Sequence, residues 1–158
     1  MKKKHKNLPL RSGVGIVLLN KKNKVFVAKR IDNPKNFWQM PQGGVDKKEN
    51  YYQAALRELK EETSIVSVEL IKIIDKKLTY ILPENLIGII WKGKYRGQKQ
   101  KWFITRFLGE ESEINCNTKY AEFIDWKWIE PKLLPEVIVN FKKDLYLNLL
   151  KEINLIIG

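Results

Sequence analysis

Residues 43–65, GGVDKKENYYQAALRELKEETSI, constrain this chain more than any other stretch. Asn50, with Gln53 three residues later, is the signature of a helix start. The Asn50 side chain takes a free backbone N–H of the first turn, and Gln53 reaches back to the cap. Tyr52, Ala55, Leu56 and Leu59 then recur at the i, i+3, i+4, i+7 spacing of an amphipathic helix. At ~100° per residue they form one apolar stripe. Glu58 and Glu62 are one helical turn apart and Glu61 lies beside them, so three carboxylates gather on one flank directly after Arg57. Like charges at that spacing repel each other. A hard divalent cation removes the repulsion, because Mg²⁺ takes carboxylate oxygens and keeps waters and substrate phosphates as its other ligands. Taken alone, a Glu-rich helix flank is ordinary solvated surface.

Composition narrows the chemistry. A chain of 158 residues with 44% hydrophobic content makes one folded domain with a real core. The formal charge of +12, from 30 Lys and Arg against 18 Asp and Glu, favours a polyanionic partner: nucleic acid, nucleotides or an anionic membrane. Genome bias toward lysine accounts for such a balance equally well. One cysteine, Cys116, allows no internal disulfide and fits a reducing, cytoplasmic setting. The single histidine, His5, argues against a Ser-His-Asp, Cys-His or His-based zinc site, so general base work falls to a carboxylate. The apolar run VGIVLL at 14–19 is far shorter than the ~20 residues of a membrane span, and no membrane segment is expected. Residues 1–7, MKKKHKN, read as a flexible basic tail before a single domain over residues 8–158.

Read in order, residues 12–20 and 25–30 are strand-like around a KKNK turn and predict a hairpin. Residues 31–36 form a polar loop containing Pro34. Gly43 and Gly44 let the backbone approach a ligand or ion closely, or simply turn. Residues 66–76, 78–82, 102–108 and 123–129 predict strands, 92–101 (KGKYRGQKQK) a basic loop or strand end, and 110–119 a loop. From Pro131 onward Leu134, Val137, Ile138, Phe141, Leu145, Leu149 and Ile153 fall near helical spacing. Strands on both sides of a central helix, with a helix at the end, predict an α/β or α+β sandwich.

Gly43, then five residues and Glu49, then seven residues and Arg57-Glu58-Leu59-Lys60-Glu61-Glu62, with Ile65 after, resembles the Nudix box. This is the motif of hydrolases that cleave nucleoside diphosphates linked to another moiety. Ser64 stands where the family has a glycine, and a serine held in a left-handed conformation costs about 1 kcal/mol. Further stretches resemble the bacterial RNA pyrophosphohydrolase subfamily, whose members are also described as dinucleoside polyphosphate hydrolases. They are LPLRSGVGI at 8–16, WQMPQGG at 38–44, GQKQKWF at 97–103, Ala121-Glu122-Phe123 with Trp126-Lys127-Trp128, and FKKDLY at 141–146.

The resemblance implies the Nudix fold, a mixed sheet between helices with a C-terminal helix. It also implies catalytic metal-binding groups at Glu58, Glu61, Glu62 and Glu122, with the Gly43 backbone carbonyl nearby and Mg²⁺ or Mn²⁺ as the cation. Glu49 and Arg57 would support that cluster. Arg11 and Arg30 would contact phosphates, and Tyr80, Phe141 and Lys142 would lie at the nucleotide end. For Phe141, a place in the helix core is an equal reading. Lys94, Arg96, Lys99 and Lys101 offer charges to an RNA backbone, or are plain surface. The implied reaction is metal-assisted removal of pyrophosphate from 5′-triphosphorylated RNA, leaving a 5′-monophosphate and promoting mRNA decay. The alternatives are a dinucleoside polyphosphate hydrolase of the diadenosine tetraphosphate type, and a non-catalytic RNA-binding module on the same fold. Three crowded carboxylates count against the module, and which carboxylate is the base stays open.

Overall fold

In the computed structural model, which describes residues 3–32 and 35–158, strand β1 (Leu10–Leu19) runs through the middle of the sheet. Its Val, Ile and Leu run is buried on both faces, as suits a strand covered on two sides. On one edge it pairs in parallel with β6 (Gly97–Phe107), from Leu10 with Gly97 to Leu19 with Arg106. Its other edge takes two partners, both antiparallel. The short β3 (Gln42–Gly44) lies against Gly13 to Gly15, and β2 (Val25–Arg30) joins at Leu19 with Val25, closing the expected hairpin. Beyond these lie β4 (Val68–Ile73) and β5 (Leu78–Ile81), both antiparallel to β6, and β7 (Phe123–Ile129), antiparallel to β2.

Helices cover both faces. On one, α2 (Tyr51–Thr63) packs Ala54, Ala55 and Leu59 against Val14, Ile16, Phe26 and Phe103. On the other, α4 (Lys143–Ile157) packs Leu145, Tyr146, Leu149 and Ile153 against Val17, Val27, Trp102 and Ile104. This is the mixed sheet between helices that the resemblance implied, within the α/β or α+β sandwich the strand and helix pattern predicted. Among the described residues, no helix is long and apolar enough to cross a membrane.

The α2 start is built as read. Asn50 accepts from Gln53 N at 2.8 Å, and Asn50 N donates back to Gln53 Oε1 at 3.3 Å. Its end explains Ser64, which is left-handed at φ 68° while its hydroxyl donates to Asn115 O at 2.8 Å. Glycine would relieve about 1 kcal/mol of strain and lose a bond worth about the same. Ser64→Gly should therefore leave the unfolding midpoint nearly unchanged, while Ser64→Ala, which loses the bond and keeps the strain, should cost about 1 kcal/mol. Equal stability of the alanine and glycine variants in urea would contradict this account.

Four expectations change. The strand expected over 66–76 begins only at Val68, because Val66 N and Ser67 N donate to the Glu113 carboxylate rather than to a neighbouring strand. The basic segment 92–101 is already strand β6 from Gly97 onward. The helix expected from Pro131 is broken. A 3₁₀ turn (Pro131–Leu133) and α3 (Leu134–Val137) end at Ile138, which is extended at ψ 152°. Trp38 N donates to the Val137 carbonyl at 2.9 Å, and the β-branched run Val137-Ile138-Val139 fits a helix poorly. A second 3₁₀ turn (Asn140–Lys142) then leads into α4. Fourth, the basic tail has structure in its described part. Lys3–Lys6 form one helical turn, α1, and buried His5 lies 2.7 Å from Glu84, while residues 1 and 2 lie outside the described residues. Pro34 of the expected polar loop lies outside them too.

Candidate active site

Arg57 organises the acidic end of the site. It donates from Nε and Nη2 to the two Glu49 oxygens at 2.8 and 3.0 Å. Nη1 reaches Glu58 Oε1 at 2.9 Å and Glu61 Oε2 at 3.2 Å, and Nη2 also reaches the Gly44 carbonyl at 3.0 Å. One planar guanidinium thus ties the β3–α2 loop to two carboxylates of the helix, geometry that an ammonium does not supply. Gly43 is glycine for a steric reason: a Cβ there would overlap the Glu58 carboxyl group. The Gly43 backbone is thereby pressed against that carboxylate.

Glu62 is not the solvated surface that a Glu-rich helix flank ordinarily is. Seven residues after Ala55, it falls on the buried face of α2 and is 1% exposed. Neither of its oxygens has a hydrogen-bond partner. Burial, then the negative charges of Glu122 and Glu58, raises its pKa well above the ordinary carboxylate value. Burial also raises Glu58, against the pull of Arg57. A buried carboxylate with both oxygens unpaired is a group waiting for a proton or a cation. Among the described residues no group of three His, Cys, Asp or Glu side chains stands ready to hold a metal ion as arranged. Glu58 and Glu61 are held by Arg57, and a cation would have to compete with it. The donor set nevertheless fits a hard divalent ion, which prefers oxygen ligands.

These carboxylates open onto a cleft of about 660 Å³. Arg11, Arg30, Gly43, Glu58 and Glu122 line it, as do Tyr80, Phe141 and Lys142. The break before α4 is what carries Phe141 and Lys142 into the cleft wall. Arg11 stands over the Trp91 ring at 5.4 Å. Arg30 donates to Asp32 at 2.8 and 3.1 Å, and its Nη1 lies 3.6 Å from Glu122 Oε2. Tyr80 and Phe141 meet with ring centres 5.9 Å apart. Of the residues the resemblance implies for the metal, its support and the substrate phosphates and base, all except Glu49, Arg57, Glu61 and Glu62 line this one cleft.

Lys142 is buried with its ammonium 4.9 Å from the Tyr80 ring centre. Burial, then the charge of Arg30, pushes its pKa down to about 7. A lysine depressed when folded stabilises the protein most above its unfolded value, and that stability is lost as pH falls toward 7. Lys142→Met is therefore expected to raise stability at pH 6 by a few kcal/mol, on the order of magnitude such shifts imply, and to change it little at pH 10.5. A pH-independent difference in unfolding free energy would contradict the assignment.

The sequence reading missed the side chains behind Gly43. Gln98 and Gln100 are fully buried, and Tyr80 OH donates to Gln98 Oε1 at 2.9 Å. Strict alternation in β6 puts Gln98, Gln100 and Trp102 on the cleft face and Lys99, Lys101 and Phe103 on the α2 face. Lys101 there donates to the Asp75 carbonyl at 2.8 Å. Lys99 and Lys101 thus do not face the cleft, and Arg96 is engaged with the Leu8 carbonyl. The period-2 pattern Gln-Lys-Gln-Lys-Trp was the available signal.

Known proteins share the sequence and the fold of this chain. The NUDIX domain matches residues 9–149. An RNA pyrophosphohydrolase of Pelagibacter ubique (strain HTCC1062) is 67% identical over 140 residues, covering 89% of each chain. One of Zymomonas mobilis subsp. mobilis is 52% identical over 148 residues, covering 92% of this chain and 96% of its own. Among solved structures, the E. coli dihydroneopterin triphosphate pyrophosphohydrolase superposes with TM-score 0.71 at 21% identity, covering 92% of this chain and 99% of its own. A C. elegans Ap4A hydrolase does so with TM-score 0.62 at 19% identity, covering 90% and 98%. These two likenesses concern the fold. With its box, its sheet and its acidic helix in place, the chain belongs to the Nudix family of hydrolases.

Proposed function

We propose that this Nudix hydrolase is an RNA 5′-pyrophosphohydrolase, converting 5′-triphosphorylated RNA to 5′-monophosphorylated RNA and pyrophosphate in the cytoplasm. The observation that carries it is the unpaired, buried Glu62 carboxylate beside a cleft lined by guanidinium groups and aromatic rings. Relatives named for this activity, up to 67% identical, support the same reading.

Nudix hydrolases generally require a divalent metal ion, here Mg²⁺ with Mn²⁺ as the second candidate. When bound, it supplies Lewis acidity and charge neutralisation toward the phosphates. Glu58, Glu61, Glu62 and Glu122, with the Gly43 carbonyl, would hold it. Arg11 and Arg30 grip phosphate oxygens with paired N–H groups, Arg30 by exchanging Asp32 for substrate. Tyr80 and Phe141 present ring faces to a base, and Lys142 adds charge once a phosphate approaches. Water attacks phosphorus, the anhydride P–O bond breaks, pyrophosphate leaves, and a carboxylate of the cluster takes the water's proton. Glu49 and Arg57 keep that cluster in place.

The test is kcat/KM for triphosphorylated RNA of a few nucleotides, ATP and diadenosine tetraphosphate at two salt concentrations. The RNA should be the best substrate and the most salt-sensitive, since each added phosphate contact steepens the salt dependence by roughly 0.7 on single strands. Lys99→Ala with Lys101→Ala should change none of the three, because both side chains lie on the α2 face. Diadenosine tetraphosphate equal to or better than RNA at low salt would replace this function with dinucleotide hydrolysis.

A further inference from the structure

The segment between β5 and β6 is tied at its ends and contributes to the cleft wall. Leu82 N donates to the Arg96 carbonyl at 2.9 Å, closing the loop. Leu86, Ile90 and Trp91 from this loop line the cleft. Trp91 and Lys92 stand side by side in the left-handed region, at φ 54° and 58°. Bulky residues rarely take that conformation, and it persists only where the surroundings over-determine it. Here the Trp91 ring meets Tyr95 edge to face, with centres 6.0 Å apart, and has Arg11 Cζ 5.4 Å from its own centre.

Arg11 and Arg30 are held in opposite ways. Arg30 spends Nε and Nη2 on Asp32 and faces Glu122 with Nη1. Among the described residues, the Arg11 guanidinium makes no hydrogen bond and no ion pair. Its contacts are the Trp91 ring and Gly44, where a Cβ would overlap Arg11 Nη2. An aromatic face attracts a cation through its quadrupole and supplies no carboxylate or carbonyl acceptor. The N–H donors of the fork therefore stay open to a ligand. A carboxylate in the place of the ring would also orient the fork, but it would repel a phosphate and have to be displaced by it.

We propose that Trp91 is a positioning residue for Arg11, an inference that rests on the assignment of Arg11 to the substrate phosphates under the proposed function. The ring holds the guanidinium beside Gly44 before substrate arrives, so the triphosphate meets a fork already ordered. Arg30, by contrast, must first leave Asp32. The engaged ring also accounts for the left-handed backbone that Trp91 keeps.

The experiment measures kcat/KM for triphosphorylated RNA and for ATP at saturating Mg²⁺. It compares the full chain with Trp91→Phe, Trp91→Gly, Arg11→Ala and the double variant Trp91→Gly with Arg11→Ala. Trp91→Gly accepts the left-handed backbone and removes the ring. A ring face under a cation is worth about 2- to 30-fold, so Trp91→Gly should lose about tenfold, equally for both substrates because both present a triphosphate. Trp91→Phe, which keeps a ring, should recover most of that loss. In the Arg11→Ala background, Trp91→Gly should cost nothing further, because both changes act through one group. In the ligand-free, metal-free protein the Arg11 Nε–H resonance should move on Trp91→Gly as the ring current is lost, while that of Arg30, held by Asp32, stays where it is. If Trp91→Gly fails to fold, Trp91→Leu carries the same expectations. Unchanged kcat/KM in a folded Trp91→Gly protein would overturn the positioning role. So would an undiminished loss in the Arg11→Ala background, or a loss confined to RNA, since either would make Trp91 a direct contact of the substrate. These outcomes leave RNA hydrolysis itself intact. A wild-type chain that prefers diadenosine tetraphosphate would overturn the RNA reading, and the pairing of Trp91 with Arg11 would still be read from the ATP series.

Discussion

Glu62→Gln is expected to lower turnover by about 10³-fold or more, over 4 kcal/mol of barrier at 1.36 kcal/mol per tenfold. At the same time it should make the metal-free protein more stable. Glu62 is buried with both oxygens unpaired, and the charge of Arg30 offsets only part of the desolvation of its ionised form. The folded state holds the Glu62 proton more tightly than the unfolded state does. Its contribution to stability is therefore complete below the ordinary carboxylate value of 4.5 and is lost as pH rises toward and through the raised pKa. Glutamine carries no charge at any pH and removes this loss. Without metal, the variant should exceed wild type at pH 8, with the gap closing toward pH 4.5. Added Mg²⁺ should stabilise wild type much more than the variant. A folded Glu62→Gln protein with near-normal turnover at saturating Mg²⁺ would remove Glu62 from the site.

Arg57→Lys should have the next largest effect. The guanidinium serves Glu49, Glu58, Glu61 and the Gly44 carbonyl at once. An ammonium can keep the charge near one or two of them and must release the others. Losing such a partner in a dry interior costs about 3–5 kcal/mol. The Arg57 side chain is 26% exposed, and Glu61 more so, which brings the expectation down to about 2 kcal/mol. Turnover should fall by about 10–100-fold, the range for groups that orient metal ligands. Activity within twofold of wild type would show that the carboxylates hold their places without the fork.

The acidic helix was legible because its signals are local. A capping pair, a 3.6-residue apolar period and a charged run all lie within one stretch, and the structure keeps each. What escaped was the depth of Glu62: three residues after Leu59 and seven after Ala55, it shares their buried face. The C-terminal break at Ile138 was hidden because apolar residues on either side of two extended positions still fall near helical spacing. The hydrogen bond from Trp38 that holds the break comes from far along the chain, and no local pattern reports it. Gln98 and Gln100 were hidden by their lysine neighbours, since a run rich in Lys and Gln reads as polar surface. Only the strand's two-residue period, together with Trp102, separates the buried glutamines from the exposed charges.

The parallel pairing of β1 with β6 also bears on how the chain is made. As the protein leaves the ribosome, β1 can meet β2 early, but the edge that will join β6 stays open until residues 97–107 have emerged. At roughly 5–20 residues per second that interval is on the order of ten seconds. Throughout it, a strand reading VGIVLL offers unpaired backbone groups to any other nascent chain, the circumstance in which edge-to-edge association begins. Arg11 at one end of this strand and Gly43 beside it cannot take their places until the late partner arrives. A truncated chain ending before β6 would therefore be a candidate for chaperone capture, not a slow hydrolase.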